Sequence, residues 1–166
     1  MIFIYLLAAD GSFYLAHFLS HNFDFLWRTH AFHHTDNEVV FETHFRHAVT
    51  STFAFFAVLV LACWALNLSV LYVGFAAGLV GAYQLLMHSP NWIWPRYLGV
   101  VFILPQYHRV HHTLESQRRN LGGMFSVWDR LFGTFSKGPG SSRYGLTQGH
   151  TAKGLGGLIW YRRNKP

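Results

Sequence analysis

Polar and apolar residues are segregated into blocks along this chain. Between Ala48 and Met87 lie forty consecutive residues without a Lys, Arg, Asp, Glu or His. One bilayer crossing takes about 20 apolar residues, so the block has the length of two. Asn67-Leu68-Ser69 near its middle carries turn chemistry, and the pattern predicts a helical hairpin with helices over 48–66 and 70–88. A pair of soluble core helices would show a polar stripe, and neither half of the block has one. The apolar, aromatic residues 1–21, interrupted by Asp10 and Gly11, predict another helix, entering the membrane near Met1 and emerging near His17–His21. Asp10 then lies at membrane depth, where an ionisable group is costly and marks a functional candidate. The alternative is that Asp10 caps a helix starting at Gly11.

The remaining blocks are polar or mixed. Residues 22–47 are rich in histidine, with a short helix expected around 24–34. The Pro- and Trp-containing stretch after His88 reads as interfacial, because Trp favours the headgroup level. Residues 120–136 read as amphipathic. The expected fold class is an all-α integral membrane protein, a helical bundle with a transmembrane hairpin and a multi-histidine cap. Residues 1–136 form its membrane domain, and 137–166 a Gly/Ser-rich, basic tail that is loop or interfacial.

Overall composition changes little, since 51% hydrophobic residues is near the average for soluble proteins. Charge adds an orientation. The formal net charge is +6, and all thirteen Lys and Arg lie outside the hairpin and its turn. The two flanks of a hairpin share one side of the membrane, and here they carry Arg28, Arg46, Arg96, Arg109, Arg118, Arg119 and Arg130. The positive-inside rule makes that side cytoplasmic. The basic residues are scattered and no nucleic-acid motif accompanies them, so the charge reads as orientation and attraction to anionic lipid. Cys63 is the single cysteine and packs as a small apolar residue, leaving no disulfide framework. The N-terminus lacks a basic n-region and a cleavage site, so it is not read as a secretory signal.

Histidine supplies the candidate chemistry. Eight of twelve histidines form three clusters: His17-x-x-x-His21, His30-x-x-His33-His34 and His108-x-x-His111-His112. Residues at i, i+3 and i+4 neighbour one another on a helix face, so each cluster can converge on a metal. Adjacent histidines such as His33 and His34 diverge by about 100° and can serve two different centres. His88 ends the second hairpin helix and returns to the same membrane side, with Gln84 one turn earlier as a possible companion. One zinc takes four ligands, so these nine histidines argue for two metals. Imidazole suits Zn, Cu, Fe and Ni alike. Asp10, Asp24, Asp36, Glu38 and Glu42 are available to orient the rings through their free N–H groups. His44 and His47 remain open between ligand, support and interfacial residue, while the isolated His150 reads as a non-ligand.

The order of these motifs resembles the fatty acid hydroxylase superfamily, also called the sterol desaturase family. Asp10-x-x-x-Tyr14-x-x-His17 is similar to its opening motif, and Leu26-Trp27-Arg28-Thr29-His30-Ala31-Phe32-His33-His34 to its second. Asn120, Gly122 and the run Trp128-Asp129-Arg130-Leu131-Phe132-Gly133-Thr134 are similar to its closing motif. Phe18, Pro90 and Gly123 depart from the usual pattern. The resemblance implies an integral-membrane, non-haem di-iron oxidoreductase that uses O2 to hydroxylate or desaturate a fatty acyl, sterol, sphingolipid or carotenoid. It implies metal ligation by His17, His21, His30, His33, His34, His88, His108, His111 and His112, with zinc able to replace iron on isolation. Asp10, Tyr14, Asn120 and Asp129 become candidates to support those ligands. Electrons are expected from an external donor such as cytochrome b5 or a ferredoxin with its reductase. The hairpin aromatics and residues 93–104 are expected to line a lipid-access groove. The first motif opens at Asp10, close to Met1, so the sequence reads as a shortened or minimal version. Two other readings are a non-catalytic membrane metal-binding protein and a haem-binding membrane electron carrier.

Overall fold

The computed structural model describes residues 2–138 and 143–146. Helix α1 spans Ile2–Asn22, α2 Asp24–His30, α3 Val49–Ala65, α4 Val70–Met87, α5 Pro105–His111 and α6 Val127–Leu131. Short 3-10 turns cover Ala31–His34, Phe41–Phe45 and Arg96–Val100. No strand forms among the described residues, and two isolated bridges, Phe102 with Phe125 and Thr113 with Tyr144, are the β-type pairs. The sequence-predicted tail beyond residue 146, and His150 with it, lie outside the described residues.

The hairpin forms within a residue or two of its predicted limits. Its turn places Asn67 in the left-handed region at φ 49°, a conformation that Asn tolerates. α1 and α4 are long and apolar enough to cross a membrane, and α3 is a slightly shorter apolar helix. Their outward faces are bare: Trp64 is 83% and Leu71 77% exposed, with Phe53, Phe56 and Phe75 also uncovered. A soluble protein avoids an apolar surface of that extent, whereas a bilayer solvates it. α1 is continuous through Asp10 and Gly11, so Asp10 does not cap a helix.

The hairpin is splayed. α1 packs against both α3 and α4, which scarcely touch each other. The three helices converge on a small apolar core of Ala9, Cys63, Val73, Ala76 and Val80, where Cys63 is a free, buried thiol. At the C-terminal end of α1 the remaining chain folds into a cap. The predicted helix over 24–34 is α2 followed by a 3-10 turn. The predicted amphipathic stretch over 120–136 is mostly loop, with only α6 helical. The loop form has a local cause. The segment's backbone N–H groups bond to carboxylates: Leu121 and Gly122 donate to Asp129, and Met124 and Phe125 to Asp10. Those amides are then not available for helical bonds.

Candidate metal centre

The cap and the C-terminal turn of α1 bring all nine predicted histidines together, each buried. They form two groups, His17, His21, His30, His34 and His111, and His33, His88, His108 and His112. Within each group one nitrogen per ring lies within 4.8 Å of every other. A metal with nitrogen ligands at about 2.1 Å spans about 4.2 Å between opposite ligands, so small ring adjustments close either group on an ion. The groups adjoin: the rings of His34 and His112 stack 4.6 Å apart, and those of His30 and His33 lie 5.3 Å apart.

The partition repeats in the two motifs. Each H-x-x-H-H motif gives its i and i+4 members to one group and its i+3 member to the other. His30 and His34 join the five-membered group while His33 crosses over; His108 and His112 join the four-membered group while His111 crosses over. On α5, residues four apart lie one above the other and the intervening member points elsewhere; in the first motif His33 and His34 lie in the 3-10 turn Ala31–His34, and its meeting with α1 and α5 sets the division.

Three rings are oriented by backbone carbonyls. His17 Nδ1 donates to Leu121 O at 2.8 Å, His88 Nδ1 to Gln84 O at 2.8 Å and His111 Nδ1 to Arg119 O at 3.0 Å. A carbonyl only accepts, so each of these rings carries its proton on Nδ1 and presents a bare Nε2. His88 Nε2 meets His33 Nε2 at 3.2 Å and His108 Nε2 at 3.1 Å, and His108 Nε2 meets His112 Nε2 at 3.1 Å. Neither ring nitrogen of His30 or His34 has a partner, nor has His111 Nε2. Buried polar atoms are normally satisfied, and this many convergent bare nitrogens fit metal ions well. A haem fits poorly, because its flat ring needs an open cleft between two imidazoles and these rings crowd one another.

Burial also sets protonation. It holds His30, His33, His34, His108, His111 and His112 well below the ordinary histidine value, with neighbouring imidazoles adding to the effect. Burial lowers His88 to about 3. The rings are therefore neutral near pH 7, the form that binds metal.

The predicted supporting residues act at one remove. Asp10, 0% exposed, accepts from Met124 N, Phe125 N and the Trp128 indole. Asp129 accepts from Leu121 N and Gly122 N at 2.7 Å and from the Thr134 hydroxyl at 2.6 Å; Tyr14 shares that hydroxyl. Asn120, left-handed at φ 53°, donates to Tyr107 O and Ser136 O and accepts from Ser136 N. Together they fix the 119–122 backbone whose carbonyls turn His17 and His111. Sequence reasoning offered carboxylates as the orienting groups and missed these carbonyls, which leave no mark on residue type. Gly123 has a related role: a Cβ there would lie 2.8 Å from both Asp10 Oδ1 and Gln84 Nε2, so a larger residue would push on the carboxylate that holds Met124 N and Phe125 N. Asp36 holds a different part of the cap, pairing with Arg46 and accepting from Thr43.

His44 and His47 fall outside both groups. His47 stacks on His33 at 4.4 Å and 11°, and His44 and His47 line a cavity of about 380 Å³ between α1, α3 and α4. Gln84 lines it too and orients His88 through its backbone carbonyl. No residue of 93–104 lines this cavity. Within this segment the 3-10 turn packs Leu98 against Ile103, Leu104 and Tyr107.

Comparison with known proteins agrees with this geometry. The family model described as fatty acid hydroxylase matches residues 2–134. An alkylglycerol monooxygenase of Danio rerio is 31% identical over 146 residues, covering 85% of this chain and 32% of its own. The ornithine lipid hydroxylase OlsE of Rhizobium tropici is 32% identical over 158 residues, covering 90% of this chain and 46% of its own. The chain thus spans between about a third and a half of the length of these curated relatives. No solved structure matches it. The chain belongs to the fatty acid hydroxylase family.

Proposed function

We propose that this protein is an O2-dependent lipid hydroxylase whose nine buried histidines hold two iron ions, five ligands on one and four on the other. The observation that carries this reading is the pair of adjoining histidine groups with bare, buried nitrogens. The names of the relatives, an alkylglycerol monooxygenase and an ornithine lipid hydroxylase, support a lipid substrate. The basic residues Arg28, Arg96 and Arg118, exposed on the histidine-bearing part, support a cytoplasmic placement of the cap.

When bound, the two irons would supply O2 activation at coordination positions that the histidines leave open. With that chemistry, one oxygen atom would enter a lipid C–H bond and the other would leave as water. An external electron donor such as cytochrome b5 or a ferredoxin supplies the electrons, and solvent the protons. The protein's own part is placement. Leu121, Gln84 and Arg119 hold the imidazole tautomers through their carbonyls. Phe13 and Phe55 pack beside His17 and keep water from that face. Rigid support of this kind decides whether the ligand geometry is ready before the reaction.

The test is oxidation of a defined lipid pool by the purified iron-loaded protein with O2 and a chemical reductant, alongside His111→Ala. The expected result is a hydroxylated lipid carrying oxygen from labelled O2, with oxidation lost and iron held more weakly in the variant, whose larger group keeps four of five ligands. Unchanged oxidation in His111→Ala contradicts the reading.

A further inference from the structure

The splayed hairpin leaves a cavity whose polarity runs in one direction. Its polar lining, Ser12, His44, His47, Thr52 and Gln84, sits at the end nearest the metal centre beside Phe13 and Phe55, and its far end is lined only by Ala9, Phe56, Leu59, Ala77 and Val80. On α3 the lining runs from Thr52 to Leu59, and on α4 from Ala77 to Gln84. At 1.5 Å per residue each wall is about 10 Å long. That length houses roughly eight methylenes of an extended chain, whose C–C bonds are about 1.5 Å. α1 forms the floor, and the apolar core around Cys63 and Val73 closes the far end. Thr52 and Phe56 are exposed, which places the opening sideways, on the membrane-facing surface between α3 and α4.

We propose that this cleft is a lateral port that takes one alkyl chain of a membrane lipid, polar end toward the histidines and methyl end toward Leu59 and Ala77, with Gly81 setting its width. The proposal deepens the oxygenase reading and rests on it for the purpose of the port, though not for its existence. The polarity gradient matches a single-chain amphiphile. The mouth faces the bilayer, so a tail enters without crossing water, where each methylene would cost about 0.8 kcal/mol. Gly81 lines the cavity, and a Cβ built on it meets nothing within 4 Å. A larger side chain there fills the port without displacing the helix. Gly78, three residues earlier, is equally open but faces outward and does not line the cavity.

The experiment is photolabelling of the purified metal-loaded protein in phospholipid nanodiscs with two fatty alcohols, one carrying a diazirine near the hydroxyl and one near the methyl end. Adducts are mapped by peptide mass spectrometry in wild type, Gly81→Leu and Gly78→Leu, with metal content measured in each. The expected result is labelling around His47 and Thr52 by the first probe and around Leu59 and Ala77 by the second. Filling a hydrophobic pocket with a leucine reduces occupancy by about tenfold or more, so both adducts fall by that factor in Gly81→Leu. Gly78→Leu labels as wild type, and all three proteins hold the same metal. Equal labelling of the two variants, reversed probe positions, or adducts confined to the outer faces of α3 and α4 would overturn the port. Labelling needs no turnover: a mapped port without lipid oxidation counts against the oxygenase reading alone, and lipid oxidation without a mapped port counts against the port alone.

Discussion

The two H-x-x-H-H motifs share one spacing and are held in different ways. The second lies on α5, which begins at Pro105 with its fixed φ. There His111 is tied to Arg119 O, and His108 and His112 face each other through Nε2 at 3.1 Å. The first lies where α2 passes into a 3-10 turn. There His30 and His34 have no partner on either nitrogen, and His33 lacks one on Nδ1. Both motifs present neutral, buried rings, but only the second has a ring tied to a backbone carbonyl, His111 to Arg119 O. The difference teaches that α5 and the 119–122 loop form a prepared half of the centre, while residues 24–47 depend on the ion to complete them.

Ligand removal is the strongest way to break this comparison. In His108→Ala the four-membered group drops to three ligands, and the metal content should fall from about two ions per chain to about one, since a closed site takes four ligands. His34→Ala leaves four in the larger group, and the second ion should stay with affinity reduced about 10- to 100-fold, comparable to loss of an outer partner. Metal titration followed by mass spectrometry of the intact protein reads both. Equal loss in the two variants would show that the groups are not unequal.

Metal removal comes next. Hydrogen exchange after chelation should loosen the backbone of 24–47 by about 2–3 kcal/mol of opening free energy and that of 105–136 by less than about 1 kcal/mol, since local stability follows local contacts. Uniform loosening would erase the contrast between the motifs.

Acid should act in the same direction on the metal-free protein. Unfolded histidines protonate near 6.5, while burial keeps the folded rings neutral and His88 neutral down to about 3. The unfolded state therefore binds more protons below about pH 6.5, and stability falls as pH falls. For each such histidine the loss is about 1.4 kcal/mol per pH unit until its folded value is reached. Denaturation between pH 7.5 and 5 checks this, and a flat stability curve would mean that the rings are not buried as described.

A smaller effect belongs to Asp129. Asp129→Asn keeps the shape but exchanges an acceptor oxygen for an NH2 group facing Leu121 N, Gly122 N or the Thr134 hydroxyl. One broken buried bond costs about 1–3 kcal/mol of stability. The resulting shift of Leu121 should weaken binding in the five-membered group more than in the four-membered group. The smallest effect is expected from His44→Ala, which lies outside both groups and should leave the metal content unchanged.

The hairpin was legible in the sequence because forty uncharged residues admit few other arrangements, and the positions of the nine histidines were legible because i, i+3 and i+4 spacing is a local property. Their partition was not. Which member of each motif crosses to the other group depends on how α1, α5 and the 31–34 turn meet, and that is a tertiary fact. Asp10, Asn120 and Asp129 read in the sequence as supports of the ligands; in the fold they hold backbone, and the groups that turn His17, His88 and His111 are carbonyls of Leu121, Gln84 and Arg119. The splay of the hairpin was equally hidden, because the small residues that line the cleft, Ala9, Ala77 and Gly81, are ordinary in any apolar helix.

Mössbauer spectroscopy of the protein loaded with iron-57, combined with the iron-to-protein ratio, tests the central claim most directly. The account predicts about two irons per chain and two high-spin ferrous doublets of equal area with different splittings, one for each histidine group. A single iron per chain, or one doublet for two equivalent sites, would contradict it.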